Sequence, residues 1–459
     1  MKRVWQSLWM TAFLIGLMRF GLWAQEMPGM QHTGGQRSTE PSATLTLEQL
    51  EQMALENNPT LAQSAAEVKA AAGRERQSGL YPNPTVGYQG EQIRGGVQGG
   101  GEQGFFVSQD VVLGGKLGLN RKIRAQETKQ AEAEAEEQKL RVLNSVKLAY
   151  YRVLAAQEMV EVRHQLSHLA GDAAETAHQL ANVGQADEPD VLQAEVESEQ
   201  AELAVVTAEQ TQGRLWRELA AAVGKPQLAM AHLTGNLDEL PPDESEQWLK
   251  AIVEESPAVK IARLGVEKAD ASLARARREA IPDLQLRGGL EQNHELNEAS
   301  GRPFGLQGFA EAGVQIPLFN RNQGNVEAAR ADAERARAEV QRVQLVLQER
   351  AAPLVENYTS SRQAVERYRE RILPRAQKAY ELYLKNYREM GAAYPQVLIA
   401  QRTFFELRAD YVKALENVWS NEIALKGFML TDGLEAPTRA GEVDRPVREV
   451  NLPSDVAMQ

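Results

Sequence analysis

The chain has 459 residues, enough for roughly two or three ordinary domains or for one elongated domain, and its formal net charge is −12. The acidic balance argues against a nucleic acid as the partner, because phosphate backbones are bound by clustered basic residues. The absence of cysteine excludes a disulfide framework and also attachment to a membrane through an acylated cysteine.

The N-terminus predicts an exported protein. Residues 1–24 form a short basic segment, an apolar run from Leu8 to Met18, and Ala24 before the expected cleavage point, which is the pattern of a secretory signal peptide. The alternative is an N-terminal membrane anchor, but Arg19 interrupts the run, which is shorter than the roughly 20 residues that span a bilayer. No later apolar run has that length, so any further membrane crossing would use strands.

Residues 25–45 are rich in Gly, Ser and Thr, and we expect them to form a flexible leader. This leader contains Met27, Met30 and His32, whose thioether and imidazole groups suit Cu(I). Two interpretations stay open, a copper-binding site and a plain disordered segment.

The chain contains a long internal repeat. NNPTL at 57–61 corresponds to ESPAV at 255–259, and PDVLQA at 189–194 corresponds to PQVLIA at 395–400. A repeat of this length indicates that one structural unit was duplicated. The predicted divisions are a first repeat at 46–224, a linker at 225–247, a second repeat at 248–433 and a disordered tail at 434–459.

Each repeat is predicted to contain a pair of strands that separate two unlike environments. In the third strand Leu286 lies between Gln285 and Arg287, and this alternation makes one face apolar and the other charged. Each strand is near the ~10 residues that a tilted strand needs to cross a bilayer. An ordinary half-buried hairpin on a soluble domain is the alternative. The predicted strands are 84–93, 103–113, 283–291 and 306–316.

The helices are predicted to be too long for a compact domain. Residues 116–182 contain no proline, and their apolar residues recur at alternating spacings of four and three, which is the coiled-coil heptad. Such a helix would be on the order of 100 Å long. Return helices at 191–223 and 397–429 provide antiparallel partners, whereas Pro353 and Pro374 are expected to bend the second long helix.

The predicted fold class is therefore mainly α with a small β part. It consists of long antiparallel coiled-coil hairpins and the four strands described above. Four strands cannot close a barrel, and open strand edges cannot face lipid, so a membrane-crossing sheet would need strands from several copies of the chain.

Six motifs in matched order resemble the TolC family of outer-membrane efflux channels over about residues 46–433. They are NNPTL, YPNPTV, QDVVLGGK, QIPLFNRNQG, VGQADEPDVLQA and MGAAYPQVLIA. The resemblance implies a TolC-like homotrimer with a twelve-stranded barrel in the outer membrane and a helical tunnel through the periplasm. Within the family, YPNPTVGYQGE, SQDVVLGGKL and IPLFNRNQGN are most similar to the CzcC-like heavy-metal branch.

The resemblance also implies a function. The expected role is a passive exit duct in contact with outer-membrane lipid, fed by an inner-membrane pump of the RND type through a periplasmic adaptor, with heavy-metal cations as cargo. Two alternatives stay open: a multidrug or type I secretion channel, and a soluble periplasmic coiled-coil protein with a structural role. No side chain pattern resembles a nucleophile with its base, so we expect neither an enzyme nor a cofactor.

Two sets of residues at the helix tips are candidate sites. The first set is expected to dock the adaptor, because glycine at a helix end permits the left-handed turn and leaves backbone open to a partner. This set is Val183, Gly184, Val191, Met390, Gly391 and Val397. The second set, Asp187, Glu188 and Asp190, would either surround the periplasmic aperture of a trimer or stabilise an ordinary helix start. Many family members carry such acids in the second tip, where this chain has Gln396 and Ile399.

Overall fold

A computed structural model describes residues 44–93, 101–184, 186–297, 300–389 and 394–437. Within these residues, no helix combines the length and the apolar character needed to cross a membrane. The predicted signal peptide, the possible copper ligands Met27, Met30 and His32, and the tip residues Met390 and Gly391 lie outside the described residues.

A short strand, β1 (Thr44–Leu45), lies at the end of the predicted leader. The first repeat then runs from two helices through a strand pair into two long helices. Its elements are α1 (Leu47–Asn57), α2 (Pro59–Ser78), β2 (Thr85–Glu91), β3 (Glu102–Val111), α3 (Lys116–Asn182) and α4 (Glu188–Ala222). The bounds of α3 are those predicted, and its 67 residues span about 100 Å.

The linker contributes a short strand, β4 (His232–Leu233). The second repeat then follows the same order as the first. Its elements are α5 (Ser245–Glu255), which begins in the linker, α6 (Pro257–Arg278), β5 (Leu284–Leu296), β6 (Pro303–Val314), α7 (Gln323–Arg367), a π-helical turn (Tyr368–Ile372), α8 (Leu373–Arg388) and α9 (Tyr394–Lys426). The predicted mainly α fold with a small β part is confirmed.

The repeated NNP and ESP motifs are helix starts. The Asn58 side chain accepts a hydrogen bond from the Thr60 N–H at 3.0 Å, and Pro59 occupies the first position of α2. At the equivalent place Ser256 caps α6, which begins at Pro257. An oxygen-bearing cap followed by proline fits a helix start, because proline has no N–H to leave unpaired there.

The predicted heptad seams form the helical core. Val142, Val146 and Val153 of α3 are fully buried, and Val343 and Leu347 of α7 are nearly so. The helices α3 and α4 pack along their length as an antiparallel pair, as the short connection between them predicts.

The second long helix departs from regular α geometry at the π turn between α7 and α8, just before Pro374. At Pro353, the other proline expected to bend it, α7 continues as an α-helix. Before Pro374, the Leu373 N–H donates to the carbonyl of Tyr368, five residues earlier, which widens the helix into a π turn. Proline cannot donate to the residue four positions before it and its ring crowds that carbonyl, so a widened turn accommodates Pro374.

The linker is an ordered part of the fold. β4 pairs in parallel with β1, and Leu233 and Leu237 are buried in the main core. The indole N–H of Trp419 donates to the carbonyl of Leu237 at 2.9 Å. The beginning of the predicted tail is also held, because Glu435 forms an ion pair with Arg141 at 3.0 Å.

The four longer strands form one antiparallel sheet in the order β2, β3, β5, β6. Val86 pairs with Val107, Val107 with Gly288, and Gly288 with Ala310. The sheet therefore joins the two repeats through β3 and β5, whereas β2 and β6 are its edges.

Candidate functional site: the two-faced sheet and the helix tips

One face of the sheet is apolar and exposed. Because residues paired across antiparallel strands point to the same side, the register assigns each side chain to a face. Tyr88 and Phe105 meet edge to face on this side with ring centroids 5.7 Å apart. The exposed apolar residues of this face include Val86, Tyr88, Phe105, Val107, Leu286, Leu290, Leu306 and Val314. A continuous apolar surface of this kind is a contact surface for lipid or protein.

The opposite face is polar, acidic and rich in glycine. Arg287 is the only lysine or arginine within the four strands of this sheet. The carboxylates on this face are Glu91, Glu102, Asp110, Glu291 and Glu311, and its glycines are Gly87, Gly104, Gly289, Gly305 and Gly313. The alternation predicted for the third strand thus extends across the whole sheet, as expected for a wall between an apolar and a hydrated environment.

The strand-to-helix junctions are built alike in both repeats. The residue before α3 is Gly115, with φ of 70°, and the residue before α7 is Asn322, with φ of 62°. Glycine and asparagine are the residues that adopt this left-handed conformation most readily. The Asn322 amide also donates to the carbonyl of Ala276 in α6 at 2.8 Å, which fixes the direction in which α7 leaves the sheet.

Asp283 connects the two repeats at these junctions. Its carboxylate accepts from the Leu113 N–H at 2.9 Å and from the Lys116 ammonium at 3.0 Å. Although burial raises the pKa of Asp283, the hydrogen bonds from Leu113 and Lys116 outweigh it and hold the pKa below its usual value.

At the first helix tip, the turn that ends α3 is exposed, whereas the helices next to it are closely packed. Val183 is 68 % exposed, and Gly184 has φ of 75°, where an added Cβ would meet open space. Val191 and Val397 are only 8 % and 3 % exposed because they pack between helices. Of the residues predicted to dock a partner, Val183 and Gly184 are therefore the accessible ones in the part of the chain that is described.

The acidic residues lie at the start of α4. Asp187 occupies the N-cap position but makes no side-chain capping hydrogen bond, and Glu188 and Asp190 lie in the first turn. Tyr387 of α8 packs against the small apolar cluster at this tip. Burial raises the pKa of Tyr387, and the nearby charge of Asp190 raises it further. The two helical hairpins thus approach each other beside this acidic turn.

Several histidines on α3 pair with carboxylates instead of grouping together. His164 lies 3.4 Å from Glu209, and His178 lies 2.9 Å from Glu195, both across the α3–α4 pair. Over the described ranges, no group of three or more metal-ligating side chains is placed to hold a metal ion.

The sequence pattern did not point to Asp238 of the linker. Asp238 accepts from Arg369 at 3.1 Å and also from the hydroxyl of Tyr411. Burial and the bond to Asp238 raise the pKa of Tyr411 to about 12. Arg369 belongs to the π turn, so Asp238 ties the linker to the helix break. Only Pro374 in the sequence indicated that a break was near.

Comparison with known proteins identifies relatives. Residues 50–225 and 248–429 match the family described as "Outer membrane efflux protein". The chain is 27 % identical to "Cobalt-zinc-cadmium resistance protein CzcC" of Cupriavidus metallidurans over 378 residues, which cover 82 % of this chain and 88 % of that protein. It is 26 % identical to "Nickel-cobalt-cadmium resistance protein NccC" of Alcaligenes xylosoxydans xylosoxydans over 308 residues, 66 % of this chain and 68 % of that protein.

Solved structures share the fold. CusC superposes with a TM-score of 0.69 at 18 % identity, covering 83 % of this chain and 91 % of CusC. VceC of Vibrio cholerae, an outer membrane protein, gives a TM-score of 0.68 at 19 % identity, covering 84 % of this chain and 96 % of VceC. The helical hairpins and four-stranded sheet therefore form a TolC-like architecture.

Proposed function

Because the chain belongs to the outer membrane efflux protein family, we propose that it is the outer-membrane channel of a tripartite efflux system. It provides a passive exit duct for substrates delivered by an inner-membrane pump of the RND type through a periplasmic adaptor. The observation that carries this proposal is the sheet with one apolar and one polar face, joined directly to a 67-residue helix.

The channel is a trimer in this proposal. The strand order leaves β2 and β6 as open edges, and an unpaired edge in lipid would leave backbone groups without hydrogen bonds. Pairing β6 of one copy with β2 of the next, three times, closes a barrel of twelve strands. The apolar face then contacts lipid and the polar face lines a hydrated lumen.

Heavy-metal cations are the proposed cargo. The names of the relatives CzcC and NccC record resistance to cobalt, zinc, cadmium and nickel, and the acidic residues of the polar face suit cations. The proposal includes export by the N-terminal signal peptide, and it assigns adaptor docking to both tips.

Cysteine cross-linking tests this assembly cleanly because the chain has no native cysteine. Val86→Cys in β2 is combined in turn with Ala310→Cys, Ala312→Cys and Val314→Cys in β6. At least one combination should give dimers and trimers on non-reducing gels of the outer-membrane fraction. The control pair, Val107→Cys with Gly288→Cys, joins neighbours within one chain and should give no ladder.

The same preparations separate the rival interpretations. Purified trimers inserted into planar bilayers should conduct ions, and cells lacking the chain should become sensitive to divalent metals. A protein that salt alone extracts from the membrane, and that gives no ladder with any combination, would be the soluble structural protein instead.

A further inference from the structure

Arg287 is held between two aromatic rings on the polar face of the sheet. Its guanidinium carbon lies 4.2 Å from the centroid of Phe106 and 5.7 Å from that of Phe309. Both distances are within the range of a cation–π interaction, which arginine makes well because its planar group is weakly hydrated. The aromatic rings thus fix the position of this positive charge.

Glycines create the space for this arrangement. Phe106 pairs with Gly87 on one side and with Gly289 on the other, and Gly289 pairs with Phe309. A Cβ at Gly87 would lie 2.5 Å from the Phe106 ring, and one at Gly289 would lie 2.8 Å from the Phe309 ring. Because glycine has no side chain, the Phe106 ring lies over Gly87 and the Phe309 ring over Gly289. The Arg287 side chain occupies the space between the two rings.

The charge of Arg287 is positioned but incompletely neutralised. One terminal nitrogen donates to the Gln89 side chain, whereas the other lies 3.7 Å from Glu311, beyond hydrogen-bonding distance. Within the described ranges, its Nε has no hydrogen-bond partner. The side chain is 34 % exposed, so part of it is accessible to solvent although Nε is buried.

We propose that Arg287 sets the charge selectivity of the channel, an inference that rests on the trimeric channel proposed above. In the trimer, three copies of Arg287 form a ring of positive charge inside an otherwise acidic lumen. Rings of fixed charge determine which ions a pore admits. This ring offsets part of the negative charge of the lumen and so weakens its preference for cations, while Phe106 and Phe309 keep the guanidinium groups at the wall.

Reversal potentials in planar bilayers under a potassium chloride gradient test the proposal. Arg287→Gln should raise the ratio of potassium to chloride permeability roughly three-fold, because three charges in a water-filled pore are neutralised. Glu311→Gln should lower the ratio. Arg302→Gln is the matched control, because it removes an exposed charge from the β5–β6 loop outside the strands, and it should leave the ratio near that of the parent.

Two further variants separate charge from position. Arg287→Lys keeps the charge and should keep the parent's selectivity. Phe106→Leu removes the nearer ring and should shift the ratio in the direction of Arg287→Gln, but less. Non-reducing gels of the cross-linked trimer show that each variant has assembled.

The outcomes distinguish this inference from the proposed function. A parent protein that forms trimers but never conducts would contradict the channel itself. A conducting parent whose ratio is unchanged in Arg287→Gln would overturn the role of Arg287. An unchanged ratio in Phe106→Leu, beside a shifted one in Arg287→Gln, would overturn the positioning role of the aromatic ring.

Discussion

The ammonium group of Lys116, the first residue of α3, lies 3.0 Å from the carboxylate of Asp283, which immediately precedes β5. Lys116 is 3 % exposed and Asp283 is 37 % exposed. This pair therefore joins the start of the long helix in the first repeat to the start of the strand pair in the second.

Replacing Asp283 should weaken the junction. Asp283→Asn removes the charge that faces buried Lys116, and we expect a loss of about 1–2 kcal/mol in the free energy of unfolding at neutral pH, a value reduced by partial exposure. Thermal unfolding of the purified protein measures it. The control is Asp410→Asn, which breaks an exposed pair with Lys413 within α9 and should change little.

The effect of Asp283→Asn on stability should depend on pH in the acidic range. The pKa of Asp283 is lower in the folded chain than its usual value of 3.8, so its stabilising effect is complete above that pH. The effect is lost as the pH falls through the lower, folded value. The difference in melting temperature between parent and Asp283→Asn should shrink in this acidic range. A constant difference would mean that the carboxylate acts by its shape and not by its charge.

Local sequence patterns predicted the helices and strands, but they did not predict the contacts of Asp283 and Asp238. Heptad spacing and freedom from proline placed the ends of α3 at the residues where the structure has them. Alternation likewise identified the two faces of the sheet, although β5 extends to Leu296, beyond the predicted end. Asp283 and Asp238 have no such periodic signal, because their partners are distant in sequence. Their importance comes from tertiary contacts that neither propensity nor motif encodes.

Glu134 of α3 should make the fold less stable as the pH rises towards about 8. Burial raises its pKa to about 8, and the charges of Glu137 and Glu67 add to the shift. One carboxylate oxygen, Oε2, has no hydrogen-bond partner in the described part of the chain. The folded state therefore binds more protons than the unfolded state between the usual value of 4.5 and about 8, so stability falls as the pH rises through this range.

Glu134→Gln should remove this dependence. At pH 8 the variant should be more stable than the parent by on the order of 2 kcal/mol, whereas near pH 5 the two should be similar. Melting temperatures across this range provide the measurement. Glu132→Gln changes an exposed residue two positions away and serves as control. Parallel curves for the parent and Glu134→Gln would show that the carboxyl is solvated or hydrogen-bonded in the purified protein.

If the proposed assembly is correct, Gly184→Val should weaken capture of the periplasmic adaptor and leave the trimer intact. A side chain here meets open space, so the change covers backbone without a clash, although φ of 75° makes it strained. Pull-down of the adaptor by the purified channel is the measurement. Gly301→Val introduces the same strain, at φ of 62° and in open space, in the loop between β5 and β6. Equal capture by both variants would exclude the tip as a docking surface.

Two roles are to be separated for the acidic residues at the start of α4: lining an aperture or stabilising the start of the helix. Asp187 makes no capping hydrogen bond, so its removal should cost less than the ~1 kcal/mol typical of an N-cap. In a trimer, three copies of Asp187, Glu188 and Asp190 would gather negative charge at the periplasmic mouth and favour cations. The triple change to Asn, Gln and Asn should therefore lower cation selectivity in bilayers and reduce block by multivalent cations added on the periplasmic side. Selectivity and block that match the parent, together with a lower melting temperature, would mean that the acids only stabilise α4 through its helix dipole. The aperture would then lie elsewhere.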